Sequence, residues 1–182
     1  MMRSILRRTA VLAVAATALA TTLATPALAD HHGAKPNIVG VAAGNADFAT
    51  LVTAVKAAGL VDTLSSPGPF TVFAPTNAAF GKLPAGTVET LVKPENKATL
   101  TKILTCHVVA GKVMAKDLVA AIQSHGGAYT IKTVGGCQFK AAIEGGKVVI
   151  TDEKGGKSTV AATDVGASNG VIHVIDTVLM PR

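Results

Sequence analysis

The sequence predicts one α+β domain, and two observations support this prediction. Apolar residues recur at helical spacing through most of the chain up to Gly127, and short β-branched segments separated by glycine turns follow from Tyr129 onward. Helices first and strands last is the order typical of α+β proteins, whereas α/β proteins alternate the two. The 182 residues, or 153 without a predicted signal peptide of 29, are enough for one domain with its own core.

The N-terminus has the pattern of a cleaved signal peptide. Three arginines precede an uncharged apolar run that ends in the small-residue motif Ala27-Leu28-Ala29. The alternative, a transmembrane anchor, is disfavoured because threonines and a proline thin the run below the roughly 20 apolar residues of a span. A lipid anchor is not predicted, because Asp30 stands where a cysteine would be needed. We expect a signal peptide at 1–29, a flexible leader at 30–36 and one domain at 37–182, in a secreted or periplasmic protein.

The charge of the mature chain argues against a nucleic-acid-binding protein. Three of the 17 basic residues and none of the 11 acidic residues lie in the signal peptide, so the formal charge falls from +6 to +3. The lysines are scattered, and the chain has one tyrosine and no tryptophan to stack on bases. Neither a nucleic-acid partner nor a stable membrane anchor is expected.

The first predicted helix lies in ADFATLVTAVKAAGLVDTL, residues 46–64. Apolar side chains from Phe48 to Leu60 recur there at helical spacing. Asn45 or Asp47 is suited to cap its start, because short polar side chains accept from the first free N–H groups of a helix.

A strand-to-helix corner is predicted next, in PFTVFAPTNAAF. The β-branched and aromatic run ends at Pro75, which has no N–H for a strand ladder. Thr76 or Asn77 can then cap a new helical turn that contains Phe80.

The middle of the chain predicts two further helices with a strand between them. TVETLVKPENKATLTKIL, residues 87–104, is helical with a break at Pro94, a residue suited to a first turn. CHVVAGKV, residues 106–113, is predicted to leave that helix as a strand. AKDLVAAIQSHGG, residues 115–127, is predicted as a helix that its two glycines end.

The last third of the chain predicts a meander of strands. Four candidate strands from Tyr129 are separated by Gly-Gly pairs at 135–136, 145–146 and 155–156. After Ser168-Asn169-Gly170 comes GVIHVIDTVLMP, which is apolar on both faces for much of its length and is therefore predicted to be a buried central strand. TVFAP is the predicted partner of this strand.

Enzymatic chemistry is not predicted. GGKST, residues 155–159, is interpreted as a hairpin turn, because a phosphate-binding loop needs a glycine where Thr151 stands. Gly-x-Ser-x-Gly is absent, and Cys106 and His107, if they lie on a strand, point to opposite faces. No cofactor is expected.

The histidines and acidic residues favour structural interpretations. His107 and His173 lie in apolar segments and are expected to be buried and hydrogen-bonded, and His125 is expected at a helix end. Asp152 and Glu153 are expected at a solvated hairpin tip.

Cys106 and Cys137 are predicted to form a disulfide. The chain has these two cysteines and an export signal, and an even count in an oxidising compartment indicates a bridge. Two buried free thiols are the alternative.

Two segments resemble the signatures of the fasciclin domain family, of the beta-Ig-H3/fasciclin type. TVFAPTNAAF is similar to the first signature and SNGVIHVIDTVLMP to the second, at the expected separation, and the resemblance covers about 37–181. It implies a wedge of β-strands flanked by helices in a bacterial single-domain member. It also implies non-enzymatic adhesion to extracellular protein, matrix or cell-surface components. A carrier of an apolar small molecule, lipid or pigment, is the alternative function.

The resemblance also points to two candidate binding residues. A Tyr-His pair in adhesive family members corresponds to Cys106-His107 here, and an Asp-Ile pair corresponds to Asp164-Val165. His107 and Asp164 are therefore the candidates, although the Tyr and the Ile are replaced.

Cleavage after Ala29 would create a candidate metal site at Asp30, His31 and His32. A free amine with a histidine in third position supplies the amine, two amide nitrogens and an imidazole in a plane, which suits Cu(II) or Ni(II).

Overall fold

The computed structural model describes residues 35–182, which contain seven strands and seven α-helices. The helices are α1 Ile38–Ala43, α2 Ala49–Ala58, α3 Val61–Ser65, α4 Asn77–Gly81, α5 Thr87–Leu91, α6 Lys97–Cys106 and α7 Ala115–Ser124, with 3₁₀ turns at Ala46–Phe48 and Pro94–Asn96. The strands are β1 Phe70–Pro75, β2 Val108–Ala110, β3 Ala128–Lys132, β4 Gln138–Glu144, β5 Lys147–Thr151, β6 Lys157–Ala167 and β7 Gly170–Ile175. Among the described residues, no helix is long and apolar enough to span a membrane.

The seven strands form one sheet in the order β2-β1-β7-β6-β5-β4-β3. β1 and β7 are parallel and every other neighbouring pair is antiparallel. Phe73 lies beside His173 in the β1–β7 ladder, so the predicted partnership of TVFAP with the last strand is confirmed. The meander and the α+β prediction are confirmed as well.

The two faces of β1 and β7 serve two separate cores. Val72 and Ile172 face the helical layer, where they join a cluster that includes Phe48, Leu104 and Phe80. The alternate residues face the inside of the curved sheet, because successive side chains of a strand point to opposite faces. There Phe73, Ile175 and Phe139 pack against Leu118 and Ile122 of α7. Phe73 and Phe80 thus lie in different cores on either side of the corner.

The corner at Pro75 forms as the sequence predicts. Pro75 is the last residue of β1, and Thr76 Oγ1 accepts from Ala79 N at 3.2 Å at the start of α4. A cap of this kind stabilises a helix start by about 1 kcal/mol.

Helix α1 lies in a segment that the sequence analysis left without an element. Asn37 begins it, since Asn37 Oδ1 accepts from Gly40 N at 2.8 Å. The helix buries Ile38 and Ala42 against the helical core. Its six residues are too short for a periodic pattern to identify.

The predicted strand over 106–113 is wrong for much of its length. Cys106 is the last residue of α6, His107 caps that helix, and the strand is confined to Val108–Ala110. The argument that Cys106 and His107 point to opposite faces of a strand therefore does not apply. The remaining residues belong to a connection that leads to α7.

Asp152 and Glu153 lie in the β5–β6 turn as predicted, but the expectation that both are solvated is wrong for Asp152. Asp152 is 9% exposed, and its carboxylate accepts from Gly156 N at 2.7 Å and from Met180 N at 3.0 Å. Glu153 accepts from Arg182 N and from Gln138 N, both at 3.0 Å, and these bonds lower the pKa of its carboxyl group. The two carboxylates tie the C-terminal segment to the β5–β6 hairpin.

Candidate binding surface

Asp164 lies at an irregularity in the long strand β6. The register between β6 and β7 shifts twice, once between Val160 and Ala162 and again between Ala162 and Val165. Asp164 lies in the second shift with φ of 58°, a left-handed conformation that Asp adopts more readily than most residues. Its side chain is exposed. The irregularity therefore presents an exposed carboxylate at the protein surface.

The carboxylate of Asp164 is held in place by helix α7. Asp164 Oδ1 accepts from Ala115 N, the first residue of that helix, at 2.8 Å. A negative charge at this position also interacts favourably with the helix dipole, which is positive at its N-terminus. The exposed carboxylate is consequently pre-oriented.

His173 supports the same region from inside the sheet. The side chain is 1% exposed and packs against Phe73 with ring centroids 5.6 Å apart. Nε2 lies 2.8 Å from Val113 O, which can only accept, so Nε2 carries the proton. Nδ1 is then the acceptor that faces Asp164 N at 3.4 Å. The predicted buried, hydrogen-bonded role of His173 is confirmed.

We call residues 111–114 the anchored loop, because Thr71 and His173 both bind it. Thr71 Oγ1 donates to Gly111 O and accepts from Val113 N, both at 2.8 Å. Together with Val113 O on His173, this gives the loop three hydrogen bonds to side chains of the central strands. Sequence analysis found none of these contacts, since Thr71 is an ordinary strand residue in the sequence.

His107 lies in the interior and is not a surface contact. The side chain is 2% exposed; Nδ1 donates to Ile103 O at 2.8 Å and Nε2 accepts from Leu179 N at 3.0 Å. Burial lowers the pKa of His107 to about 4, because a charged imidazolium would lose its hydration. The structure thus confirms the structural interpretation of His107 and corrects its candidacy as a binding residue. His125 caps the end of α7, as predicted.

Cys106 and Cys137 form the predicted disulfide. Their Cα atoms are 5.4 Å apart, and the two residues are 0% and 3% exposed. The bond joins the end of α6 to the turn between β3 and β4. Gly135 makes this approach possible, since a Cβ there would lie 2.7 Å from Cys106 N.

The structure describes a small apolar cavity but does not describe the candidate metal site. The candidate metal site at Asp30, His31 and His32 lies outside the described residues. Within residues 35–182, no group of three His, Cys, Asp or Glu side chains is placed to hold a metal. An apolar cavity between the sheet and helices α1 and α2 has a volume of about 30 Å³ and is lined by Val55, Val72 and Ile172 among others. This is the space of about one water molecule.

Comparison with known proteins decides the family. A family model described as the fasciclin domain matches residues 46–181. The chain belongs to the fasciclin family. Both signature segments, TVFAPTNAAF and SNGVIHVIDTVLMP, lie within the matched range, so the resemblance seen in the sequence is confirmed.

Relatives of this fasciclin domain occur in bacteria. The chain is 55% identical over 144 residues to protein sll1483 of Synechocystis, a match that covers 79% of this chain and 73% of that protein. It is 37% identical over 153 residues to the cell surface glycolipoprotein MPB83 of Mycobacterium bovis, covering 81% and 62% of the two chains.

The fold is similar to a solved FAS1 domain pair from the insect cell adhesion molecule fasciclin I. The TM-score is 0.71 at 24% identity, and the match covers 81% of this chain and 51% of that one. At this identity the likeness concerns the fold alone. It confirms the predicted wedge of strands flanked by helices.

Proposed function

We propose that this fasciclin domain is a secreted or periplasmic, non-enzymatic binding domain that attaches to an extracellular protein, matrix or cell-surface component. The observation that carries the proposal is the exposed, pre-oriented carboxylate of Asp164. A charge fixed before binding loses little conformational freedom when a partner engages it. The export signal, the cell-surface relative and the adhesion molecule of the same fold support this function.

The interior histidines support a binding function over an enzymatic one. His107 and His173 each use both ring nitrogens in hydrogen bonds within the core. A general base must reach a substrate proton, directly or through one water, and neither ring is available for that contact.

The apolar cavity behind α1 and α2 is too small to serve as the site of a carrier. Ligand pockets for drug-sized molecules have volumes of roughly 300–1,000 Å³. The apolar cavity of about 30 Å³ would have to open by separating α1 and α2 from the sheet before it could hold a lipid or pigment.

Substitution of Asp164 tests the proposed contact. Asp164→Asn removes the charge but keeps an oxygen for Ala115 N and tolerates a positive φ. We expect attachment of the mature protein to envelope fractions of its own host to fall at least fivefold, because a pre-oriented charge on a partner is lost, while the melting temperature changes by less than about 2 °C.

The matched control is Glu95→Gln, which neutralises an exposed acid on the 3₁₀ turn before α6. It should leave attachment unchanged. Equal attachment by Asp164→Asn and the native protein would contradict a role of this carboxylate. A bound pigment or lipid in extracts of protein purified from its host would instead support the carrier function.

A further inference from the structure

The two edge strands of the curved sheet, β2 and β3, approach each other along a seam. This β2–β3 seam is closed at one end and open at the other. The two edges meet where Val134 N donates to Val108 O at 2.8 Å and Gly135 N donates to Thr105 O at 3.0 Å, next to the disulfide. Away from this closed end the two edges separate around a cleft of about 400 Å³, lined by residues of both strands.

Free backbone groups of β3 face this cleft. Thr133 N donates to Cys137 O at 3.0 Å in the β3–β4 ladder, where Ile131 lies opposite Phe139. Since the ladder groups of an antiparallel strand alternate in direction, Ile131 pairs with β4 while the N–H and C=O groups of Thr130 and Lys132 point the other way. Within the described chain, no strand pairs with that side of β3.

The facing edge of β2 has the same property. Phe73 N donates to His107 O at 2.8 Å and Gly111 N donates to Pro69 O at 2.9 Å. This register directs the groups of Val109 toward β1 and those of Ala110 toward the cleft. Ala110, Thr130 and Lys132 are all exposed, so solvent reaches both edges.

The walls of the cleft combine an apolar floor with one charged side chain. Val113 and Tyr129 contribute half-buried apolar surface above the buried Phe73 and Leu118, and Lys132 is the charged residue of the lining. The anchored loop carries Val113 and is fixed by Thr71 and His173, so this wall is formed before any ligand arrives.

We propose that the cleft binds an extended peptide segment of a partner protein, which adds a strand to the free edge of β3 and places an acidic side chain beside Lys132. Strand addition supplies partners for the two N–H and two C=O groups of Thr130 and Lys132. Alternate side chains of the peptide pack on the half-buried Val113 and Tyr129, and its carboxylate complements the lysine. The site is separate from Asp164 and goes beyond the proposed function by naming the form of the partner.

The decisive variant is Thr130→Pro, with Thr130→Ser as its matched control. Proline removes an N–H that points into the cleft and is not used in the β3–β4 ladder, whereas serine keeps it. A random 12-residue peptide library displayed on phage is selected against the native mature protein. The expected clones alternate β-branched and acidic residues. They should bind Thr130→Pro at least tenfold more weakly than the native protein and bind Thr130→Ser equally.

Lys132→Glu provides a second variant should the proline variant fail to fold. It should weaken the same clones at least fivefold, and Asp164→Asn should leave them unaffected, which separates this site from the proposed adhesive contact. Hydrogen exchange of the native complex should show new protection at the amides of Thr130 and Lys132.

Three results would overturn the proposal. The first is a selection that enriches no clone, and the second is equal binding to native protein and both cleft variants. The third is a native dimer in sedimentation that Thr130→Pro dissociates, because the occupant would then be a second copy of this chain.

Discussion

The two ends of the β2–β3 seam are built in opposite ways. At the closed end a disulfide and two backbone hydrogen bonds fix α6 and β2 against the β3–β4 turn, and the interior ring of His107 ties the end of α6 to Leu179 of the C-terminal segment. At the open end the edges of the same strands stay apart, and the anchored loop is bound to the central strands and not to β3. A sheet that is locked at one end can keep unpaired strand edges at the other without losing its register. Stability and recognition are therefore assigned to different ends of one seam.

Reduction of the disulfide gives the largest expected effect at the closed end. Cys106 and Cys137 are 31 positions apart, and a loop of this size contributes about 3–4 kcal/mol to the free energy of unfolding in the chain-entropy model. Denaturant unfolding of oxidised and reduced protein should differ by that amount. The reduced domain should still fold, because its core is that of a full domain.

The double variant Cys106→Ala/Cys137→Ala should match the reduced protein. Hydrogen exchange should then be faster at Val134 and Gly135 than at the β1–β7 ladder. Equal midpoints for oxidised and reduced protein would show that the hydrogen bonds alone hold the closed end.

Acid should loosen the closed end next, through His107. The folded pKa of about 4 lies below the ordinary 6.5, so the unfolded chain binds the proton more readily. The contribution of neutral His107 to the free energy of unfolding is fully present above pH 6.5 and is lost as pH falls from 6.5 to about 4. The loss approaches about 3 kcal/mol, since one pKa unit corresponds to about 1.4 kcal/mol.

Urea unfolding between pH 7 and pH 4 measures the contribution of His107 to the free energy of unfolding. In His107→Gln the fall in stability over that range should be much smaller than in the native protein. The control His125→Gln changes an exposed histidine at the end of α7 and should retain the full slope. If the free energy of unfolding fell equally with pH in all three proteins, the loss of stability in acid would not come from His107.

Thr71→Val should give the smallest change in stability, at the open end. The substitution keeps the β-branched shape in the strand but leaves Gly111 O and Val113 N without their side-chain partner. We expect a loss of about 1–2 kcal/mol, together with faster hydrogen exchange confined to the anchored loop. Uniformly faster exchange across the sheet would indicate that the two ends are not independent.

The parts of the fold that the sequence predicts correctly depend on local chemistry. Pro75 lacks the N–H that a strand needs and Thr76 supplies an oxygen that caps a helix, so the two mark a corner. Two cysteines in a chain predicted to be exported indicate their own partner. The double-sided apolar character of GVIHVI likewise indicates a central strand.

The parts that sequence analysis missed depend on contacts between distant segments. The positive φ of Asp164 follows from the register of β6 against β7, and the burial of Asp152 follows from Met180 N, 28 positions away. Cys106 and His107 have apolar neighbours that suit a strand, yet α6 extends to Cys106 because Leu100, Ile103 and Leu104 pack on the helical core. Side-chain type alone does not determine such outcomes.

The parallel pairing of β1 with β7 has a consequence for the order in which the chain folds. Phe73 aligns with His173, about 100 residues later, so the centre of the sheet cannot form until nearly the whole domain has been synthesised. Closing so long a loop carries a large entropy cost, and topologies with such distant contacts fold slowly. A nascent chain that lacks β7 has its first strand flanked on one side at most. If the chain is exported as we propose, this delay would keep the polypeptide open during translocation and postpone the final collapse until the last strand has crossed.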